Sequence, residues 1–440
     1  MAGEIKYRDV LKDKEYRKYL FSGLINRFGD SIDAIAFTWL VYQITHSASW
    51  AAIIFGLNVV PNIVVQPLAG PIVEKLDKKK VIVFSHLARG LVISAFVLMY
   101  LMGIVNPYIM VAFTLTITTI ESINMPAGGA FIPQIVRKEK LTHAMSLSST
   151  LSSAIQLVGT GVAGVIIAQF GVQTAMLIDA ATFFIAAFGV MSVKTIEQET
   201  AAAEERADVE AKATLDNDNA KAKESYLDSL KDGFSYIAHN RAILNVCLVA
   251  VFMNFFIVPI NALEAPMAEE IFGLGSELLS IAGMAAAIGG IVGAVIIPKL
   301  MEKLSVKAVI VSGGLVIGVF LYMISMGSVV KGQVIPAYIW VGICYFMMLV
   351  SATVVGGSVS IQFTKTCDRD YLARAGAVLG AVSVAAMPIG SFIVSIVSVY
   401  VSPAFLLGIS GIMLMALVIV VAVSKMDFEI EKKEVAADAT

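Results

Sequence analysis

Long apolar segments alternate with short polar segments along almost the whole chain. Each apolar segment has about 20 residues or more, which is the length a helix needs to cross the hydrocarbon core of a bilayer. Lipid offers no hydrogen-bond partner to an open backbone, so we expect every such segment to be a helix. Twelve are predicted, at roughly residues 19–44, 49–73, 81–103, 107–132, 142–169, 172–193, 242–264, 277–300, 307–329, 334–363, 371–399 and 403–424. The predicted fold class is an all-α membrane protein with twelve transmembrane helices.

One charged stretch occurs twice. EKLDKKKVIV at residues 74–83 returns as EKLSVKAVIV at residues 302–311, and seven of the ten positions are identical. Asn26 and Asn254 stand at the same offset of 228 residues, each early in the first span of its half. This offset is too long for a solenoid period and indicates two copies of one large unit, run in the same direction. The twelve helices should therefore form two pseudo-twofold-related bundles of six.

The polar stretches divide the chain into four parts. Residues 1–193 form the first bundle, 194–240 a cytoplasmic linker, 241–424 the second bundle and 425–440 a cytoplasmic tail. The linker is rich in Ala, Glu, Lys and Asp, which is typical of a partly disordered or loosely helical segment. Its last part, SYLDSLKDGFSYIAHNRAIL from Ser225, places apolar residues on one side and predicts an amphipathic helix at the membrane surface.

Composition excludes several classes of protein. Hydrophobic residues make up 58% of the 440 residues and charged residues only 15%, with a mean hydropathy of +0.82; a soluble protein has about 25% charged residues. The net charge of −2 does not indicate nucleic-acid binding. The three cysteines form no metal or redox motif, and no phosphate-binding glycine loop or nucleophile triad appears. We expect no enzyme activity, no metal and no cofactor.

Lysine and arginine residues are concentrated in alternate loops, and this bias predicts the orientation. One side carries the basic N-terminal tail and the loops after spans two, four, eight and ten. The opposite loops are nearly free of cations, with Lys331 as the exception. Both termini are therefore predicted to be cytoplasmic, in a multi-pass protein of the cell membrane.

Charged residues inside a span cost roughly 2.5–3.5 kcal/mol each on insertion scales, so they are functional candidates. Four residues of span one share a helix face: Asn26, Asp30, Asp33 and Phe37. Arg27 lies beside this face, one turn before Asp30. One interpretation is a structural pair of Arg27 with Asp30. The other is a proton-accepting or cation-facing role for Asp30 or Asp33, because two acids share one base.

Three further charges fall inside spans three, four and six. Glu121 has no partner on its own helix, and burial favours the neutral form of such a carboxyl, which suits reversible protonation. The alternative is a pair of Glu121 with Arg27 or Arg89. Arg89 is expected to steady the cytoplasmic gate. Asp179 is interpreted as a helix-packing or external-gate acid.

Polar residues also form stripes in spans two and seven. Asn58, Asn62 and Gln66 follow one another at four-residue spacing, and Asn254 and Asn261 lie seven residues apart. Such stripes face either a polar cavity or a neighbouring helix with which they hydrogen-bond. Four acids near the end of span seven are expected to lie in a solvated loop at the outer rim: Glu264, Glu269, Glu270 and Glu277.

The charged stretch after span two carries the most specific resemblance. The residues Gly70, Glu74, Lys75, Asp77, Lys78 and Lys79 resemble the signature of the major facilitator superfamily, with Glu74 where Asp is usual and Asp77 where Gly is usual. The resemblance implies a cytoplasmic gate motif at these positions, and we expect it to latch to Arg374. It also implies a central cavity between the halves that opens alternately to each side, and parallel repeats place the binding site at their interface.

Other stretches resemble the macrolide-efflux and enterobactin-exporter branch of that superfamily. They are NRFGDSIDAIAFTWLVYQIT from Asn26, MPAGGAFIPQIV from Met125, LIDAATFF from Leu177 and RAGAVLG from Arg374. The glycine run of span five lacks the proline of the antiporter motif that it otherwise resembles.

The resemblance and the buried acids together predict a secondary active exporter of a small amphipathic compound, driven by proton antiport. One alternative is a lipid or lysolipid flippase of the same fold; another is a non-transporting membrane sensor or scaffold. The expected partners are a small-molecule substrate, protons and the lipid bilayer, with no nucleic acid, and the chain is expected to act as a monomer.

Overall fold

The computed structural model describes residues 7–196, 241–367, 372–424 and 426, and within these ranges the chain forms twelve long helices. They are α1 (Lys14–Thr45), α2 (Ala48–Glu74), α3 (Lys78–Leu101), α4 (Pro107–Ile135), α5 (Leu141–Phe170), α6 (Val172–Met191), α7 (Arg241–Ala262), α8 (Ser276–Met301), α9 (Val306–Ser325), α10 (Val334–Thr366), α11 (Leu372–Val397) and α12 (Pro403–Val423). The predicted all-α class and span order are confirmed. The amphipathic helix predicted from Ser225 lies almost wholly outside the described residues.

Eleven of these twelve helices are long and apolar enough to cross a membrane. The remaining one, α1, carries Arg27, Asp30 and Asp33 in its middle. It also starts five residues before the predicted span. Asp13 explains the early start, because its Oδ1 accepts hydrogen bonds from the backbone N–H groups of Glu15 and Tyr16 at 3.2 and 3.4 Å and satisfies open donors of the first turn.

The chain divides into two compact units. Among the described residues, unit 1 comprises 7–45 and 57–196, and unit 2 comprises 46–56, 241–367, 372–424 and 426. In unit 1, α1 packs on α5 and α6, and α3 packs on α4 and α6. In unit 2, α7 packs on α11 and α12, and α9 packs on α10 and α12. The same pairings recur in the same chain order, as a duplicated unit requires.

The two copies of the charged stretch make the same local turn. Asp77 caps α3, since its carboxylate accepts a hydrogen bond from the backbone N–H of Lys80 at 3.2 Å. Ser305, 228 residues later, caps α9 in the same way through the N–H of Ala308 at 3.3 Å. Asp and Ser are both preferred N-caps, so Asp77 has a clear structural role where the superfamily signature has Gly.

Helix α8 packs against α10 with its backbone almost in contact. A Cβ atom at Gly289 would lie 2.5 Å from the Phe346 carbonyl oxygen, and one at Gly293 would lie 2.7 Å from that of Val350. Only glycine permits this approach. Its counterpart α2 differs, because it contains Pro61, Pro67 and Pro71.

The segment after α7 continues as helix rather than as loop. Pro266 has no N–H to donate to the Ala262 carbonyl, and the helix is interrupted there before a short turn of helix, Glu264–Pro266, and a π-helix, Met267–Phe272. We call residues 263–272 the α7 extension. The expected solvated loop is wrong for Glu264, which is half-buried, whereas Glu269 and Glu270 are exposed.

The carboxylate of Glu15, outside the predicted span one, ties the start of α1 to the segment after α6. Its Oε1 accepts from Lys18 Nζ at 2.7 Å, and its Oε2 accepts from the backbone N–H of Lys194 at 2.5 Å. Burial of the side chain acts to raise its pKa, but the hydrogen bonds from Lys18 and Lys194 hold the pKa below its ordinary value of 4.5.

Candidate functional site

A largely buried ion pair joins α1 and α3 in unit 1. Arg89 Nη2 donates to Asp30 Oδ1 at 3.1 Å, and Asn26 Nδ2 donates to Asp30 Oδ2 at 2.8 Å. Only 9% of the Arg89 side chain is exposed, against 23% of that of Asp30. Removing one partner of such a pair leaves an uncompensated charge, so the two side chains depend on each other.

Two further groups contact the guanidinium of Arg89. Glu121 Oε2, on α4, lies 3.9 Å from Arg89 Nη2, and its side chain is 41% exposed. The guanidinium carbon lies 4.2 Å from the centre of the Phe183 ring on α6, a cation–π contact. Three other helices, α1, α4 and α6, therefore each place a side chain against Arg89 of α3.

Two more carboxyls, those of Asp179 and Asp33, lie near the Arg89–Asp30 pair. Asp179 of α6 is 1% exposed, and the Thr182 hydroxyl lies 3.4 Å from its Oδ1. Asp33 Oδ1 is buried without a hydrogen-bond partner in the described residues. Gly29 makes this approach possible, because a Cβ there would overlap the side chains of Asp179 and Thr182.

The five groups form one electrostatic unit, which we call the Arg89 cluster: Asp30, Asp33, Arg89, Glu121 and Asp179. Asp30 and Glu121 lie within 4 Å of the Arg89 guanidinium, Asp179 packs against Gly29, and Asp33 lies one turn after Asp30 on α1. One guanidinium balances one carboxylate. Asp179 is buried, as is Asp33 Oδ1, and burial without a second cation makes a charged carboxylate costly. The chemistry that this arrangement supports is reversible protonation.

The charges of the Arg89 cluster have no counterpart in unit 2. At the 228-residue offset, Asp30 corresponds to Val258, Arg89 to Ile317 and Asp179 to Leu407. All three counterparts are buried, with exposures of 1%, 2% and 0%. The same helix pairings are thus packed with aliphatic side chains in unit 2. The fold does not require ions at these places, and a buried ion pair is weak evidence for stability.

Arg27 does not pair with Asp30, and the interpretation of a structural Arg27–Asp30 pair is wrong. Its Nη2 donates to Gln156 Oε1 of α5 at 2.5 Å. Asp30 pairs instead with Arg89 of α3. The expectation that Arg89 steadies the cytoplasmic gate stays a prediction.

The remaining candidates of unit 1 fall into two groups. In α2, Asn62 Oδ1 accepts from the Ser122 hydroxyl of α4 at 2.7 Å, Asn58 is exposed and Gln66 is half-buried. Asn62 therefore makes an interhelical hydrogen bond. Phe37 packs against aromatic rings, at 5.0 Å from Phe113 and 5.9 Å from Phe96 between centroids.

In unit 2, Asn254 lies at a cavity of about 130 Å³ between α7, α9 and α10, and its Nδ2 donates to the Ala250 carbonyl at 3.0 Å. It contributes the only polar side chain of the lining; the other lining residues include Met253, Ile317 and Val355. Asn261, two residues before the α7 extension, is half-buried.

The residues of the gate motif lie at the end of α2 and the start of α3. Glu74, Lys75 and Asp77 are exposed, Lys79 is half-buried like Gly70, and Lys78 Nζ donates to the Glu74 carbonyl oxygen at 2.6 Å. The side chain of Arg374 lies outside the described residues, so the latch remains a prediction.

Sequence reasoning did not name two side chains of this site, His86 and Phe183, and it did not place Asp179 beside Arg89. His86 is 8% exposed, one turn before Arg89, with its ring 5.8 Å from that of Phe183. A signal was present, because aligning the two halves at the 228-residue offset places Leu407 opposite Asp179 and Gly314 opposite His86.

The sequence profile of the Major Facilitator Superfamily matches residues 19–362. The chain belongs to this superfamily. The resemblance drawn from the gate motif is confirmed, and so is the efflux branch, since Macrolide efflux protein A of Enterococcus faecalis is 22% identical over 340 residues, 76% of this chain and 96% of that one. The Staphyloferrin A transporter of Staphylococcus aureus (strain NCTC 8325 / PS 47) is 23% identical over 389 residues, 86% of this chain and 88% of that one.

Among solved structures, the chain is similar to the nucleoside transporter NupG, with a TM-score of 0.72. The superposition covers 93% of this chain and 98% of NupG at 11% sequence identity, which shows that the two proteins share a fold. The protein is accordingly a multi-pass membrane protein of a transporter family.

Proposed function

We propose that this protein is a secondary active exporter of a small amphipathic compound, driven by proton antiport. The observation that carries the proposal is the Arg89 cluster, in which four carboxyls share one guanidinium. At the 228-residue offset in unit 2, four of its five positions are aliphatic, and the fifth, that of Asp33, is Asn261. Charges that the fold can do without are retained for function, since they are costly in a membrane.

Proton binding at Asp30 would release Arg89. The neutral carboxyl no longer holds the guanidinium, and Glu121, already 3.9 Å away, becomes its next acidic partner. Because Arg89 sits on α3 and its partners on α1 and α4, this exchange biases the positions of three helices. A carboxyl whose proton affinity differs between two conformations couples proton flow to the conformational cycle.

Glu121 is the carboxyl through which substrate competes with protons. Its side chain is 41% exposed, whereas Asp30 is 23% exposed and Asp179 is buried. A cationic group on the substrate can reach Glu121 and displace a proton. The names of the relatives, an efflux protein for macrolides and a siderophore transporter, support export of an amphipathic compound.

The remaining expectations complete the proposal. The protein acts in the cytoplasmic membrane as a single chain, with both termini in the cytoplasm. Residues 194–240 link two six-helix halves, 1–193 and 241–424, and residues 425–440 form a tail.

The proposal is tested with purified protein in liposomes, selecting molecules whose cytoplasmic side faces outward. An acidic lumen should drive a radiolabelled macrolide or staphyloferrin A inward against its gradient, and a protonophore should abolish this accumulation. Accumulation that persists after the proton gradient is dissipated overturns antiport. Gradient-driven movement of a fluorescent phospholipid, with neither small molecule moved, would favour the flippase.

A further inference from the structure

Unit 1 contains a second cation inside its spans, Arg27, which the Arg89 cluster does not include. At 1.5 Å per residue, Arg27 lies about 20 Å from the start of α1, and its partner Gln156 lies about 22 Å from the start of α5. Both side chains are therefore far from the helix ends. A charge at this depth is costly and marks a candidate functional residue.

Helix α5 approaches α1 closely at Gly159. A Cβ atom there would lie 2.8 Å from the Cβ of Ser31 and 2.9 Å from the carbonyl oxygen of Phe28. Gln156 is one turn before Gly159 on α5. Arg27 is likewise one turn before Ser31 on α1, so this contact brings the two polar side chains together. Arg27 Nη2 donates to Gln156 Oε1 at 2.5 Å.

No carboxylate neutralises Arg27 among the residues that the structure describes. Apart from Glu15 and Glu74 at helix ends, the acids of α1–α6 are the four of the Arg89 cluster. None of them lies within 4 Å of the Arg27 guanidinium, and both oxygens of Asp30 accept hydrogen bonds from other side chains. Helix α5 has no acidic residue. The cation is therefore paired with a neutral amide.

The Arg27–Gln156 pair presents hydrogen-bond donors on an open face. Gln156 is exposed and Arg27 is half-buried, and the exposed Ser149 and Ser153 share the face of α5 with Gln156. Since a guanidinium has donors only, the amide oxygen of Gln156 must face it, and the amide NH2 group points away. The remaining N–H groups of Arg27 and this NH2 group can therefore donate to one acceptor.

The corresponding helix pair of unit 2 lacks these polar groups. Helix α7 packs on α11 as α1 packs on α5. At the 228-residue offset, however, Arg27 corresponds to Phe255 and Gln156 to Val384. The pairing of these helices therefore does not require an arginine–amide contact, and a structural need for Arg27 does not explain its cost in the membrane.

We propose that Arg27 and Gln156 bind an anionic group, a carboxylate, of the transported compound. A planar guanidinium donates in parallel to the two oxygens of a carboxylate, and the amide of Gln156 supplies a further donor. The bound anion neutralises the buried cation. This inference rests on the proposed export function and narrows its substrate class to amphipathic compounds that carry an acid. Such a compound can also carry the cationic group that Glu121 accepts.

Two fluorescent probes that differ in one group test the site. Dansyl-labelled hexanoic acid carries a carboxylate at neutral pH, whereas its primary amide is neutral. Each is titrated against purified protein in nanodiscs, with empty nanodiscs as the background. The acid should bind the wild type about tenfold more tightly than the amide, which is the scale of a hydrogen bond between charged groups.

Two variants separate this site from a general effect of charge. Arg27→Gln should remove the preference for the acid. Gln156→Glu is nearly isosteric and places an internal carboxylate beside the guanidinium, so it should also remove the preference, and it covers the case in which Arg27→Gln does not fold. Arg137→Gln changes an exposed arginine in the loop after α4; it is the matched control and should keep the preference.

The site is overturned if the wild type does not bind the acid or binds both probes equally. It is also overturned if the preference survives in a folded Arg27→Gln or in Gln156→Glu. The titrations need no proton gradient, so a failure of antiport in the liposome assay would leave the probe preference in place. The failure of this site and the failure of the proposed function are thus distinguishable.

Discussion

Arg89 donates a 3.1 Å hydrogen bond to Asp30, 59 residues away in sequence, although Arg27 stands only one turn from that carboxyl. The ion pair joins two helices, α1 and α3, whereas a pair with Arg27 would lie within α1. A change of charge on Asp30 therefore alters a contact of α3, which also packs against α4 and α6.

Asp30→Asn and Glu121→Gln keep size and hydrogen bonding but remove titration. We expect at least one of them to abolish uphill export while leaving downhill exchange intact, because coupling requires a carboxyl that changes its proton occupancy. Transport in liposomes with and without an imposed pH gradient separates the two activities. Glu139→Gln, an exposed acid of unit 1, is the control. Normal gradient dependence in both variants would place the coupling residue elsewhere.

Arg89→Gln should destabilise the protein by about 3–5 kcal/mol, since it leaves carboxyls without their buried partner. The double variant Asp30→Asn/Arg89→Gln should recover part of this loss, because the two changes act on one contact. Thermal unfolding in detergent measures the three variants against wild type. A double variant no more stable than Arg89→Gln alone would show that the pair is not coupled.

A transplant from unit 2 tests whether the cluster is dispensable for folding. The variant with Asp30→Val, Arg89→Ile and Asp179→Leu carries the residues found 228 positions later. We expect a folded protein without uphill transport, because the aliphatic residues pack the same helix pairings. Gel filtration and melting report folding, and the liposome assay reports transport. Failure to fold would mean that the charges of unit 1 are structural.

Asp77→Ala should lower stability by about 0.5–2 kcal/mol through loss of the α3 N-cap. Ser305→Ala, which removes the equivalent cap of α9, should cost a similar amount. Asp77→Asn keeps a capping oxygen but removes the charge. It therefore separates the effect of losing the latch from the effect of losing the helix cap. If the latch to Arg374 exists, spin-label distances between the loops after α2 and α10 should change in Asp77→Asn; unchanged distances would exclude it.

Glu15→Gln should lower stability at neutral pH by about 1.5–3 kcal/mol, the range for hydrogen bonds to charged groups. The pKa of Glu15 is lower in the folded protein than its ordinary value of 4.5. Its stabilisation is therefore complete above about pH 4.5 and is lost as the pH falls through the folded value. Melting curves should show the wild-type advantage shrinking on acidification, and a gap that does not vary with pH would contradict this origin.

Sequence reasoning located the helices because hydrocarbon thickness imposes one length on every span. It also found Asp30 and Glu121, since a charge within an apolar run stands out. It did not find the partner of Asp30. Periodicity describes one helix at a time, whereas the Arg89–Asp30 contact depends on which helices lie side by side. The place of Asp179 beside Asp30 was not predicted for the same reason, because it depends on Gly29, which lets α6 approach α1 closely.

The three prolines of α2 bear on how motion is distributed in the transport cycle. Each removes one backbone hydrogen bond of the helix and so creates a point at which α2 bends easily. Helix α8, its counterpart, is pressed against α10 through Gly289 and Gly293. Amide hydrogens of residues 57–70 should therefore exchange with deuterium faster than those of 285–298. The two equivalent helices then differ in flexibility: α2 bends more easily than α8, although the two occupy the same position in the duplicated unit.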